Sequence, residues 1–312
     1  MEAAVRQRWP DGRAFAFTIF DDTDRAEVES VGPVYALLRD LGLRTTKSVW
    51  AIRGDGTPRI GGATCEDRDY LAWTLELQAA GFEIASHGAA PATSARATVR
   101  RALDRFRELF GGDPVTLANH SGGLESIYWG DARVSGSTRV AYNLMTRFRN
   151  RDRFRGHVDG DSLFWGDLCR ERVTYVRNFT FNDVNTLNAC PEMPYRDPER
   201  PYVRAWFASS EGANVASFNE RLSEAQQDRL EAEGGACIMY THFASGFWDG
   251  SSVDRRFREL MIRLASRGGW FVPVGELLAH LEGDRGPREI EPGARAAMER
   301  RWLFSKLRVG HT

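Results

Sequence analysis

Lysine is almost missing from this 312-residue chain: Lys47 and Lys306 are the only two, so arginine supplies 40 of the 42 basic side chains. Arginine suits bidentate contacts to carboxylates and phosphates, although an Ala- and Gly-heavy background makes coding bias the simpler source of the imbalance. A charge excess is missing too. With 42 Lys and Arg against 43 Asp and Glu, the overall balance carries no nucleic-acid-binding footprint, and no nucleic-acid partner is expected. Cysteine is scarce, and Cys65, Cys169, Cys190 and Cys237 form no C-x-x-C pair and no zinc-site spacing. They read as reduced thiols, with Cys237 inside a strand. No apolar run approaches the roughly 18 residues that span a bilayer, and residues 1–13 lack the apolar core of a signal peptide. The expectation is a cytoplasmic protein with no integral membrane segment. What is present, 42% hydrophobic and 27% charged residues, excludes a disordered chain.

Short β-branched or aromatic runs alternate with helical patterns, which points to an α/β fold with mainly parallel strands. Strands are predicted at 14–20, 46–52, 82–86, 115–119, 173–181, 204–209, 236–242 and 270–274. Helical spacing is clearest in Val99, Leu103, Phe106, Leu109 and Phe110, and again in Val253, Phe257, Leu260, Met261 and Leu264, with Gly268-Gly269 closing the second helix. Two regions break the rhythm. Residues 121–203 are long, aromatic and Arg-rich, and end in Pro191, Pro194, Pro198 and Pro201, which argue against regular strand pairing. They read as elaborated loops covering a site. Residues 283–293 read as a Gly/Pro/charge linker before a closing helix with Met298 and Trp302, so that 283–312 form an appendage. The division is a tail at 1–13, one domain at 14–282, and that appendage.

Candidate catalytic side chains cluster just after predicted strands, which in a (β/α) barrel is the active face. Strand one runs into Asp21-Asp22-Thr23-Asp24, strand three into His87, strand four into Asn119-His120, and strand seven into His242. A lone histidine is more often structural than a ligand, but three at equivalent positions beside three carboxylates argue for a site. Consecutive aspartates repel and raise one another's pKa unless a cation or a donor compensates. A divalent metal supplies that compensation. The bland alternative, for Asp24 especially, is a helix cap or an Asx-turn.

Thr18-Ile19-Phe20-Asp21-Asp22 resembles, with one residue inserted, the T-F-D-D strand end of the polysaccharide deacetylases of NodB type, carbohydrate esterase family 4. Gly81-Phe82-Glu83-Ile84-Ala85-Ser86-His87 is similar to the second motif of that family, and Ile238-Met239-Tyr240-Thr241-His242 to its late motif. The resemblance covers roughly residues 14–281 and implies a distorted (β/α) barrel of about seven strands. It implies Asp21 as general base, Asp22 and His87 as metal ligands, and His242 as the acid that protonates the leaving amine. Two positions depart from the family pattern. Pro91 stands where a second motif histidine belongs, and Ala118-Asn119-His120-Ser121-Gly122 lacks the arginine of the third motif. His120 is therefore read as the replacement ligand, completing Asp22, His87 and His120, with Asp24 as the competing third ligand. Two imidazoles and one carboxylate suit zinc with an open fourth position, whereas a set with two carboxylates is harder and admits other ions.

The expected activity is a metal-dependent hydrolysis that removes an acyl group, such as acetyl, from an N-acylated sugar or glycan precursor. Asn119, Trp129, Trp165, Asn178, Ser209, Ser210 and Glu211 are candidate substrate contacts. Trp129-Gly130-Asp131 and Trp165-Gly166-Asp167 repeat a tripeptide whose rings either stack on sugars or anchor loops. The alternating Arg147, Arg149, Arg151, Arg153 and Arg155 either meet phosphate groups or form a solvated face. No G-x-S-x-G elbow surrounds a serine. Three other readings compete: hydrolysis of a small cyclic amide or ureide, glycosyl transfer using Asp22-Thr23-Asp24 as a D-x-D motif, and non-catalytic carbohydrate binding.

Overall fold

The computed structural model describes residues 9–309. Ten strands follow one another along the chain: β1 (Phe15–Asp21), β2 (Thr46–Val49), β3 (Glu83–Ser86), β4 (Thr116–Ala118), β5 (Tyr175–Phe181), β6 (Tyr195–Arg196), β7 (Ala205–Glu211), β8 (Ala236–Thr241), β9 (Gly269–Phe271) and β10 (Arg288–Glu289). Parallel pairing runs β7-β5-β4-β3-β2-β1-β8, and β7 also pairs with β8, so seven strands close into a barrel. Helices such as Val28–Asp40, Arg68–Ala79, Arg96–Phe110 and Arg255–Ala265 connect them. The expected distorted (β/α) barrel is what the chain forms. β9 pairs only with β1, beside the barrel circuit.

Along a strand, successive side chains point to opposite faces. In β1, Phe15, Phe17 and Ile19 pack in one cluster with Val31, Val34, Tyr35 and Leu38 of the first helix. Ala16 and Phe20 join a different cluster, with Val176 and Ile238 of β5 and β8. This alternation decides which residues reach the barrel mouth. All four cysteines are free and buried, Cys237 within β8.

Two irregular regions are more ordered than the sequence suggested. Residues 121–203 carry β5, β6 and several short helices, including Gly136–Met145 and Gly166–Arg172. The proline-rich stretch does pair: Tyr195 lies antiparallel to Trp206, since its prolines flank the two-residue edge strand rather than interrupt it. The expected linker contributes β10, which pairs with β6. The closing helix, Pro292–Val309, buries Met298 and Trp302, with the Trp302 ring centred 5.0 Å from Phe179 and 5.7 Å from Tyr142. Of the expected tail, Trp9 is buried and donates its indole N–H to the Gly234 carbonyl at 3.0 Å; residues 1–8 lie outside the described residues. No helix among the described residues is long and apolar enough to cross a membrane.

Candidate active site

The C-terminal ends of the strands surround a cavity of about 450 Å³ lined by Asp22, Asp24, His87, Asn119, Arg177 and His242, among others. Asp24 stands among three histidines. Its carboxylate oxygens lie 3.3 Å from His87 Nε2, 3.1 Å from His120 Nδ1 and 3.0 Å from His242 Nε2. Burial works to raise the Asp24 carboxyl, but the imidazoles of His120, His242 and His87 outweigh it and hold it well below the usual carboxylate range. For His242, burial opposes protonation, yet Asp24 on Nε2, the nearby Asp22 and the Ala213 carbonyl 3.0 Å from Nδ1 push it up to about 9.

The histidines are held from behind. The His87 N–H donates to the Val49 carbonyl, and Trp50 Nε1 donates to the His87 carbonyl at 2.9 Å. Ser126 donates to the His120 carbonyl at 2.9 Å. Gly122 leaves room for the ring, because a Cβ there would stand 2.4 Å from His120 Nε2.

The adjacent aspartates divide between the two faces of β1. Asp22 faces the barrel interior, where Arg177 of β5 donates two hydrogen bonds to its carboxylate, at 2.9 and 2.5 Å. Asp21 faces outward and is fully buried beneath the first helix. It pairs with Lys47, its cross-strand neighbour on β2, at 2.8 Å, and accepts from the Tyr35 hydroxyl at 3.1 Å and the Phe243 N–H at 2.8 Å. Asp21, the residue expected as general base, is thus placed on the face of β1 turned away from the cavity. A one-residue step along a strand reverses the face, and Asp21 does not line the cavity.

Among the described residues, two groups of side chains could hold a metal ion: Asp24, His87 and His120, and Asp22, Asp24 and His242. The first fits better. Asp24 Oδ1 and both ring nitrogens of His87 and of His120 are buried and, although Asp24 lies 3.1–3.3 Å from both rings, make no well-aligned hydrogen bond, an arrangement that is costly unless something else satisfies them. Asp22 is already engaged by Arg177, and His242 by Ala213. The competing ligand Asp24, not Asp22, thus stands between the two histidines.

The candidate substrate contacts separate in the same way. Trp129 lines the cavity, with the Arg133 guanidinium carbon 3.1 Å from its ring centre. Asn119 also lines it, but its side-chain amide is occupied by the Ile127 backbone at 2.8 and 3.0 Å. Trp165 is instead a buried anchor donating to the Glu125 carbonyl at 2.7 Å. Asn178 is buried 3.4 Å from the Tyr195 hydroxyl. β7 extends through Glu211, beyond its expected end, so Ser209 and Ser210 are fully buried strand residues rather than loop donors. Glu211 is buried too and accepts from Lys306 at 2.9 Å and Thr180 at 2.8 Å. Sequence reasoning missed Arg177 and Lys306. An arginine inside the apolar run of β5 was the available signal for the first; the second comes from the closing helix, far along the chain.

No family model matches the chain, and no curated protein matches it. Solved structures do. A putative polysaccharide deacetylase from Mycobacterium smegmatis is 13% identical, with 92% of this chain and 97% of that chain aligned at a TM-score of 0.50. Puue allantoinase is 14% identical, with 89% of this chain and 94% of that chain aligned at a TM-score of 0.52. The chain therefore has the distorted (β/α) barrel fold of the polysaccharide deacetylases, a fold that an allantoinase shares.

Proposed function

We propose that the protein is a metal-dependent hydrolase that removes an acyl group from an N-acylated sugar or glycan precursor. The observation that carries this reading is the cluster of half-buried Asp24 with buried His87 and His120, in which Asp24 Oδ1 and the four ring nitrogens lack hydrogen-bond partners, beside an arginine-held carboxylate, Asp22. Asp24, His87 and His120 would hold the ion, and two imidazoles with one carboxylate suit zinc. A divalent ion there supplies Lewis-acid polarisation of the acyl carbonyl and a lowered pKa for water. Asp22, oriented by two hydrogen bonds from Arg177, accepts the proton of the attacking water as general base. His242, with acceptors on both ring nitrogens, holds a proton that it delivers to the departing nitrogen. Trp129 offers an aromatic face to the sugar. A cytoplasmic location belongs to the same reading, supported by four free cysteines.

Hydrolysis of a cyclic ureide is the second reading, favoured by the likeness to an allantoinase. Elemental analysis of the purified protein, together with acetate release from N-acetylated amino sugars and ring opening of allantoin, tests both. The expected result is about one zinc per chain and acetate release that Asp22→Asn abolishes. Ring opening without acetate release selects the ureide reading. A metal-free protein with neither activity overturns both and selects carbohydrate binding.

A further inference from the structure

The cavity is more cationic than deacylation of a neutral sugar requires. Arg25, Arg59, Arg133, Arg153, Arg177 and Lys306 line it, against only Asp22 and Asp24 among its acidic side chains. Arg177 is matched by Asp22, and Lys306 by Glu211 behind the wall. Among the described residues no carboxylate lies within ion-pairing distance of Arg59, Arg133 or Arg153. A bound divalent ion would add further positive charge.

Arg133 is the best-fixed of these. Its guanidinium lies between two indoles, 3.1 Å from the Trp129 ring centre and 5.3 Å from that of Trp302, and Nε is buried without a hydrogen-bond partner. Such stacking sets the plane of the fork before any ligand arrives. Burial pulls the Arg133 pKa down to about 9, helped by the neighbouring Arg177; an anion would act in the opposite direction. The cationic wall also continues away from Asp24. A second hollow of about 310 Å³ shares Arg59, Arg133, Arg153 and Lys306 with the first and adds Arg149.

We propose that the substrate carries a phosphate ester, held by Arg133, Arg153 and Arg59, while its acylamino group lies at Asp24, His87 and His120. This rests on the deacylase reading and specifies its substrate class. One carboxylate needs a single guanidinium; several unmatched arginines around one hollow fit a group with more than one ionisation and three acceptor oxygens. Two other arginines of the ladder are engaged elsewhere: Arg155 pairs with Asp161 at 2.9 Å, and Arg151 approaches Asp152 at 3.5 Å.

The test compares N-acetylglucosamine with N-acetylglucosamine 1-phosphate in the wild type, Arg133→Gln and the partly exposed Arg153→Gln. The expected result is a wild-type kcat/KM at least about tenfold higher for the phosphorylated sugar, equivalent to roughly 1.4 kcal/mol. Both variants should lose most of that preference. Equal kcat/KM for the two sugars in the wild type overturns the proposal. The same sugar phosphate tethered to a lipid in phosphatidylcholine vesicles distinguishes the source: faster turnover there identifies a lipid phosphate, slower turnover a soluble one, and Arg153→Gln should impair either. If neither sugar is deacylated, the deacylase reading fails, and calorimetric titration with inorganic phosphate judges the subsite alone. Binding by the wild type and by His120→Ala that Arg153→Gln loses upholds it; no binding, or binding that only His120→Ala loses, overturns it.

Discussion

Arg177 reaches from β5 across the barrel interior to grip Asp22 at the end of β1 with two hydrogen bonds, both partners buried. The chain lacks an arginine in its Ala118-Asn119-His120-Ser121-Gly122 segment, and the arginine that does hold a carboxylate at this end of the barrel comes from another strand. Removing one partner of a buried pair leaves an uncompensated charge, so Arg177→Ala should cost about 3–5 kcal/mol of stability. Chemical denaturation measures this. Arg177→Ala should also lower kcat at a temperature where the variant is folded, and an unchanged kcat would remove Arg177 from the orienting role.

The two adjacent aspartates should separate experimentally. Asp22→Asn is expected to fold normally and lose on the order of 10²–10⁴ in kcat, the range for a general base. Asp21→Asn leaves Lys47 without its counter-charge, and should lower the melting temperature while the folded fraction keeps most of its activity. The opposite pattern, an inactive but stable Asp21→Asn, would return the base role to Asp21.

Metal content should depend on Asp24, His87 and His120. His120→Ala and Asp24→Ala are each expected to purify with much less than stoichiometric zinc. His242→Ala should retain the metal and lose turnover. Added zinc should raise the wild-type melting temperature through ligand linkage, roughly 2.7 kcal/mol of stabilisation at a free concentration 100 times Kd. Zinc retention in both ligand variants would dismantle the proposed set.

Acid should loosen the loops over the site through His157. Its ring lies tilted against Tyr128 at 4.4 Å, accepts the Tyr128 N–H at 3.2 Å, and is held down to about 4 from 6.5, first by burial and then by Arg155, Arg139 and Arg200. The unfolded chain therefore binds more protons than the folded one between those values, and stability falls as pH drops from 6.5 towards 4. Denaturant midpoints across that window should show a slope that His157→Gln flattens. An identical slope in the variant would place the acid sensitivity elsewhere.

The barrel was largely legible because alternating strand and helix patterns report burial locally. Seven of the eight expected strands form the circuit, and the histidines stand where strand ends put them. Asp21 and Asp22 were harder to assign, because motif similarity names adjacent residues without fixing which face of β1 each occupies. The last inward position belongs to Asp22, and only the pairing register with Lys47 reveals it. Arg177 stood out locally only as an arginine in the apolar run of β5, and the pairings of Arg177, Arg133 and Lys306 were hidden for a different reason. Their partners lie in distant parts of the chain, Asp22, the Trp129–Trp302 pair and Glu211, and no periodicity links such positions.

The scarcity of lysine acquires a practical meaning once both are located. Lys47 is sealed beneath the first helix against Asp21, while Lys306 comes from the closing helix and borders the cavity. Among the described residues, no ε-amine stands on the outer surface. Amine-directed labels, cross-linkers and immobilisation chemistries, which on most proteins scatter over many positions, should leave the folded barrel almost untouched. A small acylating or aldehyde reagent that enters the mouth would find a single ε-amine there, that of Lys306. Protection of Lys306 from such a reagent would thus serve as a site-specific gauge of whether a ligand occupies the cavity.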